Sequence, residues 1–135
     1  MKDGTRQTIV GTYHIGDVSV QLVLREGNGG DFYFQPGDIP YPRIKIGADV
    51  DNWRNVVTTL IHEAEEYVIA SLCCRMSPDD EFGRDAASYV FWLRHEQFSD
   101  VCARTGMLVA ECLPDVATAW KKWDKERKKR KDSHA

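Results

Sequence analysis

The first quarter of the chain alternates between apolar and polar residues, a pattern typical of β-strands that bury one face. Residues 7–15 are rich in β-branched and aromatic side chains, and Gly16 and Asp17 follow as a turn. The next run places four apolar side chains on one face: Val18, Val20, Leu22 and Leu24. The two runs together predict a β-hairpin.

Two shorter strands are predicted after the glycine-rich turn at residues 27–30. Residues 31–35 supply a third strand, and residues 43–47 supply a fourth strand with Ile44 and Ile46 on one face. The proline-rich segment at residues 36–42 separates them, because proline cannot donate a hydrogen bond to a β-ladder.

Apolar residues recur at helical spacing through the rest of the chain. A first helix is predicted from an N-cap at Asp49 or Asp51 to Cys74. A second is predicted from Asp85 to about residue 104, and a third from about residue 114 to residue 123. The sequence therefore predicts an α+β fold, in which a small, mainly antiparallel sheet packs against two or three helices.

Length and composition indicate one soluble domain, residues 1–124, followed by a basic tail, residues 125–135, that is expected to be disordered or a frayed helix end. No apolar run approaches a membrane span and no signal segment opens the chain, so the expected compartment is the cytosol. The four cysteines form no Cys-x-x-Cys pair, which favours buried free thiols over a zinc knot or disulfides.

The first predicted helix carries the pattern that we interpret as a metal site. His62 and Glu66 are four residues apart, so their side chains leave one helix face about one turn apart and can bind the same ion. Glu63 is placed to take a proton from metal-bound water, as in the His-Glu-x-x-His helix of zinc peptidases. The alternative interpretation is a solvated glutamate-rich face with an incidental histidine.

A catalytic zinc ion normally has three protein ligands, so a third must come from elsewhere in the chain. Among the other histidines, His14 lies in an early strand and His134 in the charged tail, whereas His95 lies in the second predicted helix. A helical hairpin would bring His95 against His62 and Glu66. Alternatively, His95 is simply exposed to solvent.

Two segments together carry a family resemblance: Thr59-Leu60-Ile61-His62-Glu63-x-x-Glu66 and, after an intervening 28 residues, Leu93-Arg94-His95-x-x-Phe98. They resemble small phage and prophage proteins that look like minimal relatives of the zincin metallopeptidases. The resemblance covers roughly residues 43–113. It implies zinc ligation by His62, Glu66 and His95, with Glu63 as general base.

Zinc peptidases of this type often hold an extended substrate by main-chain pairing with a strand beside the cleft. The resemblance therefore implies that Ile44, Lys45 and Ile46 bind the peptide. It also implies peptide hydrolysis, with the host cytosol as the compartment if the protein is phage-encoded.

Two other functions are compatible with the sequence. One is a non-catalytic phage accessory protein that binds a host protein, with the metal structural or absent. The other is a weak nucleic-acid contact through the tail, because residues 121–132 carry eight basic and three acidic side chains. The simpler explanation of the tail is a solubilising helix end, and the net charge of -8 on the remaining residues opposes a large nucleic-acid interface.

Overall fold

The computed structural model describes residues 5–34, 42–76 and 90–134, and shows an α+β fold. A four-stranded sheet packs against two helices. The strands are β1 (Gln7–Ile15), β2 (Val18–Arg25), β3 (Gly30–Tyr33) and β4 (Arg43–Gly47), and the helices are α1 (Trp53–Ser71) and α2 (His95–Ser133). A separate short pair consists of β5 (Arg75–Met76) and β6 (Val90–Phe91).

The strand order of the main sheet is β1-β2-β4-β3. β1 and β2 form the predicted hairpin, with Ile15 opposite Val18 and a positive φ of 58° at Gly16, which suits glycine. β2 and β4 are parallel, whereas β3 and β4 are antiparallel. The predicted α+β class with a mainly antiparallel sheet is confirmed, and the single parallel pairing makes the sheet mixed.

The core lies between the sheet and the two helices, where alternate strand residues meet the apolar face of each helix. Its fully buried strand side chains are Val20, Leu22, Leu24, Ile44 and Ile46. α1 contributes Val56, Leu60, Ala64 and Val68, and α2 contributes Leu108, Cys112 and Val116. Every second side chain along these strands thus points to the same face of the sheet and is buried against the helices.

α1 begins later than predicted, because Asn52 is its N-cap and accepts a hydrogen bond from the backbone N–H of Asn55 at 3.0 Å. The carboxylate of Asp49 is used elsewhere, accepting from the backbone N–H of Gly27 at 2.8 Å and from the indole N–H of Trp123 at 2.9 Å. Asp49 therefore ties the β2–β3 turn and α2 to the start of α1.

α2 is a single helix of 39 residues, so the predicted break near Gly106 and the separate third helix at Pro114 are wrong. Proline inside a helix costs about 3 kcal/mol, because it removes one hydrogen bond and crowds the preceding turn. Burial of Leu108, Cys112, Val116 and Trp120 on both sides of that point contributes more, at about 1.5–3 kcal/mol for a large apolar side chain.

The predicted second helix also begins in the wrong place. Residues 90 and 91 form β6 and α2 starts at His95, while residues 85–89 lie outside the described part of the chain. Val90 and Phe98, two apolar residues of the predicted second helix, are 51% and 55% exposed, whereas Val101 is buried. The apolar spacing of this segment therefore does not reflect one continuous buried helix face.

Of the two structures expected for the tail, disorder or a helix end, the described residues show helix as far as Ser133. Arg127 donates to the backbone carbonyl of Val50 at 3.1 Å and to Asp124 at 2.9 Å, and Arg6 forms an ion pair with Glu126. These contacts attach the beginning of the basic segment to the body of the protein, and the helix continues beyond them.

All four cysteines are free thiols, as predicted, but only Cys74 and Cys112 are buried, whereas Cys73 and Cys102 are exposed. Burial raises the pKa of the Cys112 thiol to about 12, so this thiol is protonated at neutral pH. Within the described residues, neither helix has an apolar stretch of the length needed to cross a membrane.

Candidate metal centre

One turn of α1 brings together His62, Glu63 and Glu66, with one donor atom from each lying within 4.8 Å of the others. Nε2 of His62 is 3.3 Å from Oε2 of Glu66 and 3.9 Å from Oε1 of Glu63. The predicted four-residue spacing thus places the imidazole and the Glu66 carboxylate side by side. Among the described residues this is the one group of three such side chains close enough to share an ion.

The three side chains differ in their access to solvent. The side chain of His62 is 67% exposed, whereas that of Glu66 is 15% exposed and that of Glu63 only 9%. The centre therefore has a solvent-facing imidazole above two carboxylates at the border of the apolar face of α1. A ligand can reach it from the His62 side.

Strand β3 packs against the side chain of Glu63. A Cβ atom added to Gly30 would lie 2.6 Å from Cγ of Glu63 and 2.9 Å from Cγ2 of Thr59, so only a glycine allows β3 to pack this closely on α1. Burial is the main cause that raises the pKa of Glu63. The neighbouring carboxylates of Glu66 and Asp31 raise this pKa further, while His62 and Arg25 lower it.

The donor set fits a divalent cation of the zinc type. Zinc lies about 2.0–2.2 Å from imidazole nitrogen and carboxylate oxygen, so two ligand atoms on one ion are at most about 4.4 Å apart. The two distances from His62 already meet this condition, and the 4.8 Å limit leaves only a small adjustment for the third. A cation would also offset the cost of holding two carboxylates together in a partly buried position.

His95, the third ligand predicted from the sequence, is not part of this cluster. The backbone N–H of Trp92 donates to the carbonyl of Cys74, so the chain approaches α2 from the C-terminal end of α1. That end is about 14 Å along the helix from His62, at 1.5 Å per residue. Among the described residues, the structure therefore does not bring the three predicted ligands into one group.

The predicted peptide-binding role of Ile44, Lys45 and Ile46 is also contradicted. β4 is an interior strand, parallel to β2 on one side and antiparallel to β3 on the other, so its main chain is already paired on both sides. Ile44 and Ile46 are fully buried. The strand beside the centre is β3, the last strand in the order of the sheet.

Several features of the site were not visible in the sequence. Arg25 at the end of β2 and Asp31 in β3 form an ion pair at 2.9 Å and act electrostatically on Glu63, although they are more than 30 residues away in the chain. An open depression of about 430 Å³ adjoins the centre one turn earlier on α1, lined by Asn28, Gly29, Val50, Asn55, Thr58 and Thr59. The Gly29-Gly30 pair was the one sequence signal for this site, since glycine in a strand often marks a place where the backbone packs closely on another segment.

Comparison of the chain with protein-family models, with curated proteins and with solved structures gave no match. The geometry of the centre itself is therefore the basis for inferring a function.

Proposed function

We propose that this protein is a zinc-dependent, metallopeptidase-like hydrolase of the phage or prophage type, acting in the cytosol of the cell that makes it. The observation that carries the proposal is the His62, Glu63 and Glu66 cluster, in which one imidazole and two carboxylates from a single helical turn lie within 4.8 Å. Zinc bound there would supply a Lewis acid that polarises a substrate carbonyl.

His62 and Glu66 are assigned as two of the three protein ligands that a catalytic zinc normally has, because Nε2 of His62 lies nearer to Glu66 than to Glu63 and both residues share one face of α1. Glu63 is assigned as the general base. It lies deeper than the other two and is held against Gly30 by β3, so a carboxylate oxygen can take a proton from water at the centre without competing with bulk solvent.

The substrate path follows from the surface beside the centre. Thr58 and Thr59 precede His62 and Glu63 by one helical turn, and both line the depression that opens next to them. A peptide lying in this depression would meet uncharged polar side chains before its carbonyl reaches the centre. The recognition surface is therefore the α1–β3 border rather than β4.

The first test is the zinc content of the full chain, purified without chelator or nickel resin and measured by elemental mass spectrometry. About one zinc per chain is expected, with loss in His62→Ala and in Glu66→Gln. His95→Ala is the matched control, an exposed histidine outside the cluster, and is expected to keep the metal. A parent chain that takes up no zinc when zinc is added would refute the metal centre.

The second test separates the two roles of the carboxylates. Glu63→Gln is expected to retain zinc and to lose hydrolysis of a peptide library by at least about a hundredfold, within the usual range for removing a general base. Loss of zinc in this variant would instead make Glu63 a ligand. Unchanged zinc content together with unchanged hydrolysis would show that the mechanism is wrong.

One observation favours the alternative of a non-catalytic accessory protein that binds a host protein. Consecutive apolar residues at and after β6 are exposed, with Trp92 at 71% and Phe91 at 49%, and exposed aromatic side chains are typical of protein interfaces. A pull-down from host lysate with Trp92→Ser as the control tests this. Retention of the same proteins by both forms would count against it.

A further inference from the structure

The helical end of the chain presents a row of lysines on one side. At 100° per residue, Lys121, Lys122, Lys125, Lys128 and Lys129 fall within an arc of roughly 120° on the surface of α2. All five are exposed. We call this set the lysine face.

The acidic residues of the same segment are directed into ion pairs. Asp124 binds Arg127 at 2.9 Å and Lys128 at 2.8 Å, and Glu126 binds Arg6, whose guanidinium stacks on the ring of Trp123. These contacts hold two of the three acids in the segment against neighbouring cations. Asp132, in the last turn of α2, is the acid that remains exposed among residues 121–133.

This arrangement differs from the one expected of a disordered basic tail. A disordered tail would mix its acids and bases, whereas the helix places Asp124 and Glu126 outside the arc of the lysine face. Asp132 falls on the same arc, one turn beyond Lys128 and Lys129. Like charges one turn apart on a helix are mutually destabilising, so the lysine face lowers the stability of the free helix end. A polyanion laid along it would remove that repulsion.

We propose that the lysine face binds the phosphate backbone of double-stranded nucleic acid without reading its sequence. From Lys121 to Lys129 the helix spans about 12 Å, a length over which duplex DNA presents roughly seven negative charges. Lysines are point charges without the planar fork that pairs with a guanine edge, so they contact phosphates rather than specify bases.

The other polyanions fit less well. Binding of single strands relies on aromatic stacking, but the two tryptophans of this segment, Trp120 and Trp123, are 8% and 1% exposed. A helix lying in a lipid surface needs an exposed apolar face, and here the apolar face packs on the protein. The acidic remainder of the chain confines the contact to the end of α2.

Fluorescence anisotropy with a labelled DNA duplex, titrated with the full chain at several salt concentrations, tests the proposal. About five phosphate contacts predict a log–log slope near -4.5, which corresponds to a roughly 500-fold loss of affinity between 50 and 200 mM salt. Changing Lys121, Lys122, Lys125 and Lys129 to Gln is expected to reduce the slope by about 3.6. Lys128 is left in place because it pairs with Asp124.

The matched control changes the same four residues to Arg, which keeps the charge and the helix propensity, and should keep the slope. Circular dichroism of both variants verifies that α2 is intact. A slope unaffected by the Gln changes would overturn the proposal. So would equal or tighter binding of single-stranded DNA, polyglutamate or anionic vesicles, because each would assign the face to a different partner.

Discussion

Replacing Gly30 with alanine tests whether the packing of β3 on α1 holds Glu63 in its working position. The added Cβ would lie 2.6 Å from Cγ and 3.0 Å from Cδ of Glu63, and 2.9 Å from Cγ2 of Thr59. Ordinary contact begins near 3.4 Å, so the Glu63 side chain must move by about 0.8 Å. We expect a loss of about 1–3 kcal/mol in the free energy of unfolding, typical of inserting one methyl group into a packed site.

The same displacement should reduce hydrolysis far more than zinc binding. A shift of about 1 Å in a catalytic group costs roughly a hundredfold in rate. The three atoms nearest to the new methyl group belong to Glu63 and Thr59, and none belongs to the ligands His62 and Glu66. The assays are urea unfolding, zinc content by elemental mass spectrometry, and hydrolysis of the best peptide from the library screen.

Gly16→Ala is the matched control, because it adds the same single methyl group at the β1–β2 turn, on the opposite side of the sheet from β3. A Cβ at Gly16 would lie 3.5 Å from the Arg104 side chain, an ordinary contact, but its φ is 58°, so alanine there costs about 1–2 kcal/mol from backbone strain alone. The two variants should lose similar stability, and only Gly30→Ala should lose activity. Equal activity in the two variants would refute the reasoning, as would a Gly30→Ala protein as stable as its parent.

Two further predictions concern stability. Hydrogen bonds from Lys128 and Arg127 lower the pKa of Asp124, so its carboxylate stabilises the fold above the unfolded pKa, and this contribution is lost as pH falls through the lowered folded value. Asp124→Asn should therefore lower the free energy of unfolding in urea by about 1 kcal/mol at pH 7 and by almost nothing at about pH 2. A stability difference between variant and parent that does not change with pH would contradict this. Gly47→Ala should lower the free energy of unfolding by about 3 kcal/mol, because its Cβ would lie 2.4 Å from the backbone carbonyl carbon of Asn28. Stability close to that of the parent would show that the turn at Asn28 moves to make room.

Much of the secondary structure could be predicted from local patterns. β1, β2 and β4 begin and end where the apolar alternation and the turn residues indicated, because side-chain alternation and turn chemistry act over only a few residues. The pairing of His62 with Glu66 was predictable for the same reason, since a four-residue spacing on a helix places two side chains together whatever surrounds them.

The positions of His95 and β4 were not predictable in this way. Whether His95 meets His62 depends on the path of the chain between the helices, and the structure leaves His95 outside the cluster. Whether β4 is an edge depends on which strands pair with it, and both β2 and β3 do. Contacts of this kind join residues far apart in sequence, so no local pattern specifies them.

The sequence by itself determined the α+β class, three strands, the helical turn that carries the metal-binding side chains, and the excess of lysine near the C-terminus. Only the tertiary structure decided that Gly30 packs on Glu63, that helix α2 runs unbroken past Pro114, and that the lysines are exposed while Asp124 and Glu126 are paired. The physical reason is that burial and ion pairing between distant segments outweigh local preferences of about 1–3 kcal/mol per residue.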